Sequence, residues 1–318
     1  MLRYIAKRIG IAVVLVWLVS TLVFLVLHLV PGDPATMLLS SGDSAPDPSA
    51  VAELRRQMGL DQPIMTQYGA YLLGVVQGDF GASLRDGTPI APELLLRLPR
   101  TLELILAATF IASLLGIPLG TLAAMRDGGL ADRVVSIGAS LSLSTPVFVV
   151  GTAAILIFAQ KLGWISAGGY VPLAEDPLRH VALLLLPAGT IALSLWAVIV
   201  RMTRASVLEV LERDYVRTAR AKGVPRMQIL SRHVVRNAMV PVVTVIGLQM
   251  GNLLGSTVLI EYVFNWPGLS GYLVRAVEAR DYPEVVGIVL LISIIFVLLN
   301  LLVDIAYAVL DPRVKLTR

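Results

Sequence analysis

The run Arg213-Asp214-Tyr215-Val216-Arg217-Thr218-Ala219-Arg220-Ala221-Lys222-Gly223-Val224-Pro225-Arg226, continued through Arg232 and His233 to Pro241, is a polar island in an otherwise apolar chain. From residue 201 to residue 236 there are nine Arg and Lys side chains. At the centre of a bilayer each would cost about 2.5–3.5 kcal/mol, so the segment must face water. The excess of positive charge assigns it to the cytoplasmic side of a membrane. Residues 207–222 have good helix propensity, Gly223 suits the left-handed position that ends a helix, and Pro225 can open the next one as its first residue. A helix-turn-helix of this kind, lying across a membrane face, can dock into a cleft of a partner and carry rigid-body motion back to the spans. The plainer alternative is a topogenic loop with no partner.

Composition agrees with a membrane setting. The chain has 318 residues, 56% of them hydrophobic and 15% charged, and a mean hydropathy of +0.80, which places it among polytopic membrane proteins. The net charge of +4 does not point to nucleic acid, because the basic residues sit beside apolar spans instead of forming one surface stripe. Without cysteine there is no disulfide framework and no thiolate chemistry.

Outward from the island, six apolar runs are long enough to cross a ~30 Å hydrocarbon core as helices. They are expected at about residues 9–30, 101–124, 134–158, 180–200, 240–259 and 285–310. The first follows Arg3, Lys7 and Arg8, is longer than a secretory apolar region and ends in Val30-Pro31-Gly32-Asp33-Pro34 without a small-residue cleavage site. Its N-terminus is therefore expected inside, as is the tail carrying Arg313, Lys315 and Arg318. Residues 31–98 hold eight acidic side chains against four basic ones, a balance that fits the outer side. Within them Asp47-Pro48 marks the start of a short helix stopping near Gly59. Tyr68, Tyr71, Leu72 and Val75 form an amphipathic stripe suited either to the membrane interface or to packing on neighbouring helices. The organisation is then a first span (1–30), an outer segment (31–98), a five-helix core (99–310) containing the basic loop 204–237, and a tail (311–318).

Polar faces inside the spans are the places to look for a passage. Gly116 and Gly120 would let another helix approach the second span, with Pro118 as a kink. Ser136, Ser140, Ser144 and Phe148 share one face of the third span, although serine in such a place more often packs or bonds back to its own helix than touches a ligand. On the fifth span Gly247, Gly251 and Gly255 cover one side, and Gln249, Asn252 and Ser256 cluster roughly 130° away. The glycine side is built for close helix contact; the polar side should meet protein or a watery passage. Ser293, Asn300, Asp304 and Tyr307 line one stripe of the sixth span, where Asp304, near the inner end, suits pairing with an Arg better than proton relay.

Enzyme chemistry finds no support. There is no Gly-x-x-x-x-Gly-Lys-Ser/Thr phosphate loop, no Gly-x-Ser-x-Gly elbow, and His28, His180 and His233 stand alone without a second metal ligand at helical spacing.

Several ordered motifs resemble one family, the permease subunits of ATP-binding-cassette importers, specifically the first membrane subunit of the dipeptide and oligopeptide group. The residues that carry the resemblance are Val30-Pro31-Gly32-Asp33-Pro34, Gly78-Asp79-Phe80-Gly81-Ala82-Ser83, Arg97-Leu98-Pro99-Arg100-Thr101-Leu102-Glu103-Leu104, Ser144-Thr145-Pro146-Val147-Phe148, the 214–223 run with His233, Asn237 and Pro241, residues 261–271, and Asp311-Pro312-Arg313. The wider importer loop opens on Glu-Ala-Ala; here Arg217 and Thr218 replace the Glu and first Ala, while Ala219 and Gly223 match. The resemblance implies an all-α polytopic fold of six transmembrane helices, the type I importer permease fold, with both termini cytoplasmic, in the inner membrane of a prokaryote. It implies no catalysis and no metal in this chain, with ATP and Mg on two partner ATPases. Further implied partners are a homologous second permease and an extracytoplasmic solute-binding protein. Arg217, Thr218, Ala219, Arg220, Ala221, Lys222, Gly223, Val224 and Pro225 would couple to the ATPase. Ser140, Ser144, Gln249, Asn252, Ser256 and Asn300 are the path-lining candidates. The implied cargo is a dipeptide or oligopeptide, with glutathione, nickel chelates or another small solute as alternatives within the family. An ion-gradient-driven transporter is the alternative from another class, and it would call for buried carboxylates or broken helices in two related halves.

Overall fold

Long apolar runs in this chain become helices because a helix satisfies its own backbone polar groups where no water can. The computed structural model describes residues 2–29, 34–39, 47–57 and 59–310, and among them the only extended pairing is an isolated bridge between Ala82 and Pro89. Helix α1 (Leu2–Leu29) leads to the short α2 (Pro34–Leu39), α3 (Pro48–Gln57) and α4 (Ile64–Gln77). Asp47 Oδ1 accepts the Ser49 amide at 3.0 Å ahead of α3, the cap its position foretold. The tyrosine stripe of α4 packs inward: the rings of Tyr68 and Tyr71 lie 5.2 and 5.4 Å from that of Phe24, and Tyr68 shares a 2.7 Å hydrogen bond with Thr21 on α1. The Val30-Pro31-Gly32-Asp33 segment, the tail from residue 311, and the side chains of Asp304 and Tyr307 lie outside the described residues.

Helix α5 (Ile90–Met125) begins well before the expected residue 101. Pro99 removes one backbone bond, but Ile90 and Leu94 are seated against Leu269, Tyr272 and Ile288, and that burial carries the helix outward. Helix α6 (Leu130–Ser144) and α7 (Val147–Ala154, running on as a π-helical stretch Ile155–Lys161) occupy the third apolar run. This run was expected as one helix over 134–158; instead it is bent by 98° between Ser144 and Val147. The cause is Pro146, which disfavours helical geometry in the residue before it: Thr145 is extended at φ −97°, ψ 124°.

Helix α8 (Pro177–Leu211) starts with Pro at its first position and Asp176 Oδ1 accepting the Arg179 amide at 3.0 Å. It continues past the expected end at 200 and absorbs residues 207–211, so the basic loop proper holds a shorter helix, α9 (Asp214–Ala221), and one turn, α10 (Arg226–Ile229). A π-helical stretch (Leu230–Val235) joins α10 to α11 (Arg236–Ser256). Helices α12 (Val258–Val263), α13 (Leu269–Glu278) and α14 (Tyr282–Leu310) complete the described residues. Among the described residues five helices are long and apolar enough to cross a membrane, six when the bent α6–α7 pair is one span.

The centre of the bundle is the α5–α8 contact. A Cβ on Gly116 would lie 2.8 Å from Ile199 Cγ2, and one on Gly120 would lie 2.7 Å from the Val200 carbonyl oxygen, so the two backbones meet where the sequence placed small residues. Leu104, Ala108, Ala112, Leu186, Ile191 and Leu195 close the core around that contact. The glycine side of α11 behaves the same way for two of its three members: Gly247 faces Val303 and Gly251 faces Phe296 on α14, whereas Gly255 meets open space.

Candidate functional site: the basic loop and the polar helix faces

Helix α9 has a one-sided pattern. Val216 is buried and Ala219 and Val224 pack with it on Val207, Ile229, Val234 and Ala238, while Arg217, Thr218, Arg220, Ala221, Lys222, Gly223 and Pro225 are exposed. The helix ends as its glycine foretold. Gly223 sits at φ +75°, its amide donates to the Arg220 carbonyl at 3.0 Å, and the Val224 amide donates to the Ala219 carbonyl at 3.2 Å. These are the two bonds of a Schellman motif, and the apolar contact that accompanies it is Val224 against the same cluster. Pro225 stands one position before α10 rather than in its first turn. A cavity of about 470 Å³, bordered by Met125, Leu211, Arg220, Val224, Arg226, Ile229 and Leu230, separates the loop from the end of α5; Arg226 Nη2 spans it to the Met125 carbonyl oxygen at 3.3 Å. The loop is thus an exposed, charged ridge clipped by its apolar underside to α5, α8 and α11.

The other candidates fall into three groups. Ser140 and Ser144 stand exposed on α6, each donating to the carbonyl four residues back (2.8 and 2.9 Å). On α11, Asn252 and Ser256 are exposed and Gln249 is half-buried, with Asn252 Nδ2 donating to Gln249 Oε1 at 3.1 Å. Asn300 belongs elsewhere: it lies beside Gly251, on the glycine side of α11, and donates to the Phe296 carbonyl at 2.9 Å. Among the described residues no hydrogen bond joins the α6 group to the α11 group.

Polar networks that the sequence did not expose close both ends of the bundle. At the loop end, Arg204 grips Asp132 through Nε (2.6 Å) and Nη2 (2.8 Å) and reaches Asp127 at 2.6 Å. At the opposite end Glu261, 1% exposed, accepts from Thr101 Oγ1 at 2.7 Å and the Gly271 amide at 2.9 Å. Burial pushes its carboxyl above the ordinary value, with the Thr101 and backbone donors opposing. Nearby, His180 bridges Glu103 Oε1 (2.6 Å) and the Val171 carbonyl oxygen (2.7 Å), and Ser83 donates to Asp281 at 2.5 Å. The only signal for these pairs in the sequence was charge in or beside an apolar run, which names a residue and not its partner.

A helical bundle whose spans carry polar faces, with an exposed basic ridge at one end, defines a membrane transport subunit. Residues 1–105 match the family described as "Binding-prot-dependent transport system membrane comp, N-term" and residues 116–316 match "Binding-protein-dependent transport system inner membrane component". The chain belongs to this family of permease subunits of ABC importers, multi-pass components of the inner membrane that transport and are not enzymes. The glutathione transport system permease protein GsiC of Escherichia coli (strain K12) is 41% identical over 315 residues, covering 99% of both chains. The protein of that name in Salmonella choleraesuis (strain SC-B67) has the same identity and coverage. Among solved structures, the inward-facing MetNI methionine ABC transporter superposes with a TM-score of 0.58 at 18% identity, over 69% of this chain and 96% of that one. An amino acid ABC transporter crystallised with histidines gives 0.51 at 16%, over 68% and 93%. These two likenesses speak for the fold alone.

Proposed function

We propose that this chain forms half of the passage of an ATP-driven importer for short peptides, with glutathione the first candidate, and that residues 217–225 receive the stroke of the ATPases. The identity of 41% across 99% of glutathione permeases is the observation that supports this cargo. The exposed face of α9, rigidly capped and clipped to three spanning helices, supports the coupling role. In this reading the loop and both termini lie in the cytoplasm, where ATP and Mg bind to the ATPase subunits and not to this chain. A homologous permease completes the passage, and an extracytoplasmic binding protein delivers the solute. Closure of the ATPases moves α9, and the bundle shifts between outward and inward packings.

The test is a reconstituted importer carrying Gly223→Val. A β-branched residue at φ +75° costs roughly 1–2 kcal/mol and unwinds the Schellman end, so uptake of labelled glutathione or dipeptide should fall at least tenfold while membrane insertion persists. Unchanged uptake would remove the coupling role from this segment. Uptake by this chain alone without ATP would overturn the function.

A further inference from the structure

Helix α8 carries two arginines one turn apart, and the structure treats them in opposite ways. Arg204 is held by both Asp132 and Asp127. Arg201 is exposed, and among the described residues its one hydrogen bond runs from Nη2 to Ser140 Oγ at 2.9 Å, with no carboxylate in ion-pair range. Its direction is as informative as its solitude. Arg204 and Asp132 mark one level of the bundle; Ser140 stands eight residues farther along α6, about 12 Å, whereas Arg201 stands only three residues back along α8, about 4.5 Å. The Arg201 side chain therefore climbs several ångström toward the membrane centre instead of snorkelling to the nearer water, as a long cationic side chain ordinarily does. A guanidinium so placed is costly in lipid and marks a water-filled pathway.

What surrounds it is chemically incomplete. Ser140 spends its hydroxyl proton on the Ser136 carbonyl of its own helix, so it offers the guanidinium only neutral oxygen. The guanidinium keeps a free fork of N–H donors, the geometry that takes a carboxylate through two parallel bonds. We propose that Arg201, braced by Ser140, is a carboxylate-binding site in the passage, the station at which the terminal carboxylate of a peptide-type solute is held on its way through. The site rests on the function proposed above and names which chemical group of the solute the permease itself reads.

The experiment uses the complete importer in proteoliposomes, with wild type, Arg201→Gln and Arg201→Lys, and compares uptake of a dipeptide with that of its C-terminal amide. The binding protein is the same in every arm, so a change in the acid-to-amide ratio reports the permease. Arg201→Gln should lower free-acid uptake about 10- to 100-fold at sub-saturating concentration while leaving amide uptake near its wild-type level, so that the acid-to-amide ratio falls by the same factor. Arg201→Lys, which keeps the charge and loses the fork, should fall between. An unchanged ratio in Arg201→Gln would overturn the site while leaving the importer function standing. Loss of the partner permease from the purified Arg201→Gln complex would overturn it in favour of an inter-subunit ion pair. Import of neither solute by the wild type would sink the peptide function and the site together.

Discussion

The polar side chains at the end of the bundle opposite the basic loop and those on the faces of α6, α11 and α14 are held in contrasting ways. At that end the buried acids Glu261 and Asp281 and the half-buried Glu103 are each tied to a distant element, to Thr101, Ser83 and His180 respectively. On the helix faces the bonds stay at home, Ser140 to Ser136, Ser144 to Ser140, Asn252 to Gln249 and Asn300 to Phe296. A bond between elements fixes their relative position. A bond to the same helix satisfies one valence, leaves the helix free to slide, and keeps the remaining valences for water or a passing solute. The first region is built as a clamp and the second as a surface, and Arg201 of α8 reaches across to that surface at Ser140 without meeting an acid among the described residues.

Substitutions at three positions, with one control, probe that contrast. The largest effect belongs to the packing on which both regions depend. Gly120→Val drives a side chain into Thr203 and the Val200 carbonyl oxygen, 2.7 Å from its Cβ; overpacking of this kind costs about 1–3 kcal/mol or more, and folded protein recovered in detergent should fall sharply. Gly255→Ala, which meets open space, is the matching control.

Next comes the clamp. Glu261→Ala strips partners from the buried Thr101 hydroxyl and Gly271 amide and should cost about 2–4 kcal/mol, read as a lowered melting temperature. The pH dependence separates charge from packing. Because the folded carboxyl lies above its ordinary value of 4.5, the folded state holds the proton more tightly than the unfolded one. Glu261 therefore favours folding most below that value, and its contribution declines as pH rises through it toward the raised folded value. Glu261→Gln should flatten this segment of the stability curve. An unaltered slope would mean that Glu261 is not the group responsible.

The smallest structural effect, and the most telling, is expected on the surface side. Asn252→Leu removes only a bond within α11, so yield and assembly should stay as in the wild type while uptake falls roughly three- to tenfold, the scale of one lost hydrogen bond. A drop in yield instead would move α11 from the passage to the clamp.

Much of this was legible from periodicity alone. The apolar runs, the α5 glycines that admit α8, the Asp47 cap and the Gly223 terminus follow from local rules, since helix length, small-residue contacts and capping depend on neighbours a few positions away. The break at Pro146 obeys a local rule too, and the continuous apolar run concealed it. Helix α5 outran its expected start because Ile90 and Leu94 are buried by residues almost two hundred positions distant.

By itself the sequence determined the class of the molecule, its spans and the charged ridge between them, because burial cost and positive charge act residue by residue. Only the tertiary structure decided which charges are satisfied. Arg201 and Arg204 look alike in the chain, one helical turn apart, and differ because one meets two carboxylates across the bundle and the other meets a serine. That difference is set by the depth and rotation of α6 against α8, which no spacing along a single helix records.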